Sequence, residues 1–137
     1  MKLKEQLLVT IFFLFCTIGI VFLAALRLGF FKINQIEVTG TRRVSGKEIL
    51  KRSGLRLGES MIFFEDILRR EILKNPWIGN ADIKRDFILQ KVQIEIEEVE
   101  PFCLVLGKEN QLYYISKTGK RLGKANFNEG LDFPVLI

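Results

Sequence analysis

The segment from Gln6 to Leu26 constrains this chain more than any other feature: it holds 21 consecutive residues without a charge, 14 of them Leu, Ile, Val or Phe. As a helix rising 1.5 Å per residue it would extend about 31 Å, which matches the hydrocarbon core of a bilayer. Insertion free energies of about −0.3 to −0.6 kcal/mol per such residue sum to roughly −4 to −8 kcal/mol. Thr10, Cys16, Thr17 and Gly19 do not reverse that sum. A cleaved secretory signal has a shorter apolar region, about 7–15 residues, and ends in a small-residue site that Ala24-Ala25-Leu26 matches poorly. Residues 7–26 therefore predict one membrane-spanning helix in contact with lipid, preceded by a short tail over residues 1–6. Lys2 and Lys4 on one side nearly balance Arg27, Lys32, Arg42 and Arg43 on the other. A short basic tail stays in the cytosol, and a long domain translocates largely regardless of its charge. The expected arrangement is a cytoplasmic N-terminus, a single pass through the cytoplasmic (inner) membrane, and the bulk of the chain extracytoplasmic.

Composition narrows the chemistry available to that bulk. The 137 residues include no His, which removes the commonest general base at neutral pH and most mixed Cys/His zinc sites. Cys16 falls inside the apolar helix and Cys103 in the exported part, so the two cannot pair within one chain. Residues 27–137 carry 19 basic and 15 acidic side chains in a well-mixed pattern, as a solvated surface does. There is no continuous Lys/Arg block for lipid headgroups, and translocation separates the domain from cytosolic nucleic acid. No enzyme activity, cofactor, metal or nucleic-acid partner is expected.

Hydrophobic periodicity then orders the exported part. Ile36 and Val38 alternate with polar neighbours and meet Gly40, a strand ending in a turn. Ser45 and Glu48 have capping-box spacing before Ile49 and Leu50, predicting a helix that stops near Gly54. Phe64, Ile67, Leu68 and Ile72 recur at helical spacing until Pro76 halts the pattern, so a second helix ends at Asn75 or just before. Ala81, Ile83 and Phe87 predict a second strand, and Val92, Ile94 and Ile96 a third. The order β-α-α-β-β over residues 27–100 is an α+β layer with two helices on one face of a three-stranded sheet. Beyond Pro101, Cys103–Leu106 and Leu112–Ile115 read as the hairpin that opens a β-rich unit over 101–137. A two-stranded start is marginal alone, and the sequence stops inside the apolar Phe133-Pro134-Val135-Leu136-Ile137, so this unit is expected to be truncated.

Individual residues read mostly as structural. Gly40 to Lys47 misses phosphate-loop spacing by one residue, and Glu48 stands where a hydroxyl should meet magnesium. Glu95 and Glu97 share the solvent face of one strand. Glu98 breaks the alternation, and an inward ion pair with Arg85 is the expectation for it. Trp77, after Pro76 at a helix-to-strand junction, reads as a core anchor. Tyr113 and Tyr114 must face opposite sides of a strand, one buried and one exposed.

One anchor helix, then β-α-α-β-β, then a β-rich tail resembles the FtsQ/DivIB family of bacterial cell-division proteins, whose extracytoplasmic part begins with a POTRA domain. The residues that carry the resemblance are Ile36-x-Val38-x-Gly40, Gly58 with Phe63-Phe64, Pro76-Trp77-Ile78, Ala81-x-Ile83-x-Arg85 and Ile94-x-Ile96-x-Glu98-x-x-Pro101. Tyr114-Ile115 with Gly119, and Phe133-Pro134, extend the match through the tail. The resemblance implies a non-enzymatic scaffold of the divisome at the division septum, linking the division ring to septal peptidoglycan synthesis. Its implied partners are FtsB/FtsL-like, FtsW/FtsI-like and FtsK-like division proteins. It further implies that the strand at Ile83, Lys84 and Arg85 binds a partner, with Gly40, Pro76, Trp77, Glu98 and Pro101 as structural positions. On that reading Lys84→Pro abolishes septal localisation without preventing membrane insertion. The alternative is a POTRA module of protein secretion or outer-membrane assembly.

Overall fold

The computed structural model of the chain describes residues 2–108, 110–126 and 133–136. Helix α1 (Lys2–Arg27) is unbroken over 26 residues, so the apolar span of residues 7–26 is extended by a turn that takes in Lys2 and Lys4. None of its side chains is buried against the rest of the protein, and it alone among the described residues is long and apolar enough to cross a membrane. The hydroxyls of Thr10 and Thr17 donate back to the carbonyls of Gln6 and Leu14, each at 2.8 Å, so neither polar group is left bare on an apolar surface.

After α1 come β1 (Gln35–Thr39), α2 (Gly46–Ser53), α3 (Glu65–Leu73), β2 (Ile78–Asp86) and β3 (Lys91–Glu98). The sheet order is β1-β3-β2, with β3 parallel to β1 and antiparallel to β2. Central β3 turns Val92, Ile94 and Ile96 to the helices, where they meet Ala81 and Ile83 of β2, Ile49 of α2, and Leu68 and Ile72 of α3. Each wholly buried Ile in this cluster contributes about 1.5–3 kcal/mol by leaving water. Phe87 falls outside β2, in the turn that follows it, where its ring lies 6.0 Å from that of Phe31.

Helix α2 begins on Ser45, whose Oγ accepts the Glu48 N–H at 3.2 Å, and ends at Gly54, which sits at φ +72°. Only half of the capping box forms. The Glu48 carboxylate turns instead to Arg52 Nε at 3.0 Å and to Asn75 Nδ2 at 2.9 Å, because a buried amide needs an acceptor more than an exposed N–H does.

The tail forms a second sheet from β4 (Pro101–Leu106), β5 (Leu112–Ser116), β6 (Arg121–Lys124) and β7 (Val135–Leu136), in the order β6-β5-β4-β7. The β4–β5 hairpin is the one the periodicity predicts; β6 and the parallel strand β7 make the sheet larger than a two-stranded start. Its core gathers Leu104, Leu112, Tyr114, Leu122 and Ala125. Cys103 is buried as a small apolar residue, and Tyr113 faces away from Tyr114 beneath the Arg121 guanidinium, 4.1 Å from its ring centroid. Ile137, the end of the apolar stretch, lies outside the described residues.

Candidate docking edge

Strand β2 pairs with β3 on one side and with no other strand on its outer side among the described residues, so it is an edge. Which of its residues serve that edge follows from one hydrogen bond. Arg69 Nε, reaching over from α3, donates to the Ala81 carbonyl at 2.9 Å. That carbonyl therefore points away from β3. Backbone groups of an antiparallel pair alternate between the partner and the open side, so Ile83 and Arg85 also turn their N–H and C=O outward, whereas Asp82 and Lys84 bond to β3. Arg69 covers the start of the edge and also approaches Asp82 Oδ1, at 3.7 Å. A charged side chain laid across an edge strand is a common guard against uncontrolled pairing.

The three residues of the candidate site divide their tasks. Ile83 is buried in the core. Lys84 stands on the helix-free face, with Nζ 2.9 Å from Glu95 Oε2 and 3.6 Å from Asp82 Oδ2. The hydrogen bond and charge of Glu95 raise its pKa against desolvation, with lesser contributions from Asp82 in the same upward direction. Arg85 turns back toward the helices. It ion-pairs with Glu65, donates to the Met61 and Phe63 carbonyls at 3.3 Å each, and lies 4.9 Å from the Phe63 ring centroid. A partner strand would therefore meet the backbone of Ile83 and Arg85 and the side chain of Lys84.

The expected Arg85–Glu98 pair does not form: the β2–β3 register sets Arg85 opposite Val92 and Glu98 opposite Ile78, at the other end of the pair, and Arg85 meets Glu65 on α3 instead. Glu98 instead caps the loop after β1, accepting the N–H groups of Arg42 (2.8 Å), Arg43 (2.9 Å) and Val44 (3.0 Å). Desolvation pushes its pKa up, but the three backbone bonds and the Arg43 charge together outweigh it and leave the carboxyl below its ordinary range. Gly40 opens the same loop at φ +81°, and a Cβ there would lie 2.0 Å from the Ile96 carbonyl oxygen, a space that only glycine leaves empty.

Pro76 occupies the turn between α3 and β2, and Pro101 is the first residue of β4, opposite Ser116. Trp77 packs on both cores. Its ring meets Tyr114 edge-on with centroids 5.4 Å apart, Arg43 lies 5.2 Å from both rings, and Gly123 leaves room for the indole. The seam between the two sheets is thus aromatic and lies at the far end of β2 from the hairpin loop. Three residues that sequence reading passed over hold this region together: Arg69 and Glu65 through the contacts above, and Asn75. Asn75 is 5% exposed, and it ties α2 to β2 by donating to Glu48 and accepting the Trp77 N–H at 3.0 Å. The Asn75-Pro76 pair, a turn signal, was the available clue to the last. Among the described residues no cluster of His, Cys, Asp and Glu could hold a metal ion.

Residues 31–98 match the family described as POTRA domain, FtsQ-type. The chain is similar to proteins named Cell division protein FtsQ. It is 35% identical over 109 residues to that of Syntrophotalea carbinolica, covering 78% of this chain and 37% of the relative. It is 27% identical over 108 residues to that of Geotalea daltonii, covering 78% and 38%. To that of Agrobacterium fabrum it is 23% identical over 108 residues, covering 78% and 33%. The chain thus spans little more than a third of the length of the relatives it matches.

Proposed function

Since the chain belongs to the FtsQ family of cell division proteins, we propose that it is a non-enzymatic, single-pass scaffold of the divisome that uses the β2 edge to bind an extracytoplasmic partner. In this reading α1 holds the N-terminus in the cytoplasm, the two sheets stand outside the cytoplasmic membrane, and the protein gathers at the septum with other division proteins. The observation that carries the reading is the outward-facing backbone of Ile83 and Arg85 on a strand that, among the described residues, pairs with β3 alone. Such an edge accepts a partner strand by β-augmentation, with main-chain bonds supplying affinity and Lys84 contributing selectivity.

The edge geometry also dictates the test. Lys84 sends its N–H into the β3 ladder, so Lys84→Pro breaks the sheet itself and does not isolate docking. Ile83→Pro removes an outward N–H and leaves the ladder to β3 intact, while Ile83→Ala loses similar core volume and keeps that N–H. In cells depleted of the native protein, an N-terminal fluorescent fusion of the complete gene product carrying Ile83→Ala is expected at midcell with normal division. The Ile83→Pro fusion is expected to spread around the envelope over filamentous cells. Midcell bands and normal division with Ile83→Pro would sink the assignment of the β2 edge.

A further inference from the structure

The loop that joins β2 to β3 has the sequence Phe87-Ile88-Leu89-Gln90. Its three apolar side chains are 46%, 94% and 66% exposed. Four-residue hairpin loops favour Gly, Asn and Asp, and adjacent bare apolar side chains indicate a surface that something covers.

The position of the loop identifies the cover. Phe22 lies within α1, about 8 Å from the helix end at 1.5 Å per residue. Its ring centroid is 6.3 Å from that of Phe31, which in turn is 6.0 Å from that of Phe87. Gln90 Nε2 donates to the Gly29 carbonyl at 2.7 Å, fastening the loop to the chain as it leaves the helix. Leu28 and Phe30 on that segment are exposed as well. Phe31 thus links the apolar surface of α1 to the hairpin tip. Two N–H groups of the tip are satisfied within it, because Asp86 Oδ1 accepts those of both Ile88 (3.0 Å) and Leu89 (2.9 Å).

We propose that the β2–β3 tip inserts Phe87, Ile88 and Leu89 into the interfacial layer of the bilayer that α1 spans, giving the domain a second attachment to the membrane beside the helix. Arg27 and Lys32 stand at the level where lipid phosphates lie, and the tip side chains enter the acyl boundary as the apolar face of an interfacial helix does. Strand β2 then rises from the membrane surface, with Lys84 two residues above Asp86, or about 7 Å at 3.4 Å per residue. The inference is independent of what binds the β2 edge, and it rests on α1 crossing the bilayer.

The test uses the full chain reconstituted in vesicles of phosphatidylethanolamine and phosphatidylglycerol with brominated acyl chains. Tryptophan is introduced by Phe15→Trp, Ile88→Trp or Lys117→Trp, and each is read as the difference from the parent, which retains Trp77. Phe15→Trp reports on the span and Lys117→Trp on a solvated turn of the second sheet. The expected result is blue-shifted, bromine-quenched emission from Ile88→Trp as from Phe15→Trp, with Lys117→Trp unquenched. Red-shifted, unquenched emission at position 88 places the tip in water and overturns the proposal. Blue-shifted but unquenched emission there means that protein, a second copy included, covers the tip, and overturns it too. Loss of quenching at position 15 overturns the premise that α1 spans, and the proposal with it.

Discussion

Glu98 shows how much of this fold depends on single polar side chains placed where the backbone needs them. Its carboxylate satisfies three consecutive N–H groups in a loop that has no regular structure of its own. Replacing it by Ala strands those donors and removes a charged acceptor, at a cost of about 1–3 kcal/mol. Its depressed pKa adds a pH signature. A carboxyl held below its ordinary value stabilises the fold fully above that value, and the contribution fades as pH falls through the folded-state pKa. Urea titrations of the protein in detergent micelles should therefore show stability falling on acidification below the ordinary carboxylate range. In Glu98→Ala that acid-dependent loss should shrink; an unchanged acid slope would show that other carboxylates control it. The alternation along β3 put Glu98 in phase with the inward Val92, Ile94 and Ile96, but did not reveal its partner. Partner choice depended on where the loop after Gly40 travels, which strand periodicity does not encode.

At the scale of elements, the helices and strands answer to local rules, and their joints do not. Ser45 and Gly54 delimit α2 by local chemistry, so both ends were legible. Helix α3 starts on Phe64 without any side-chain cap, and Glu65 in its first turn, paired with Arg85, compensates by favourable charge at the helix N-terminus. This joint couples α3 to β2 directly behind the candidate edge. A double-mutant cycle on Arg85→Gln and Glu65→Gln should give a coupling of about 0.5–1.5 kcal/mol in unfolding free energy, given that both groups are partly buried. The cycle pairing Arg85→Gln with Glu98→Gln should be additive within error. The opposite pattern would return Arg85 to Glu98 and invalidate the latch. The β2–β3 register sets Glu98 opposite Ile78, at the far end of the pair from Arg85, and the packing of α3 over β2 brings Glu65 within reach instead.

For the whole molecule, the decisive contact is the seam at Trp77, where the core under the first sheet runs into that of the second through Tyr114 and Val99. Truncating a half-buried aromatic that serves two cores should cost about 2–4 kcal/mol, toward the lower end of the range for large-to-small core changes. Hydrogen exchange on Trp77→Ala should show protection falling in β3 and in β5 together, with Trp77→Phe retaining most of it. Loss confined to one sheet would mean that the two open independently. The long apolar N-terminal helix, the β-α-α-β-β order and the packing of Trp77 into a core were determined by the sequence itself, because each is written in apolar runs, in periods of 3.6 and 2, and in Gly and Pro at chain reversals. Tertiary structure alone decided that β3 is central and β2 is an edge, that Arg69 guards that edge while Arg85 latches onto Glu65, and that Phe87-Ile88-Leu89 lies beside the end of α1. The reason is physical: local pattern records whether a side chain leaves water, whereas pairing order and the partners of long charged side chains depend on contacts between residues far apart in the chain.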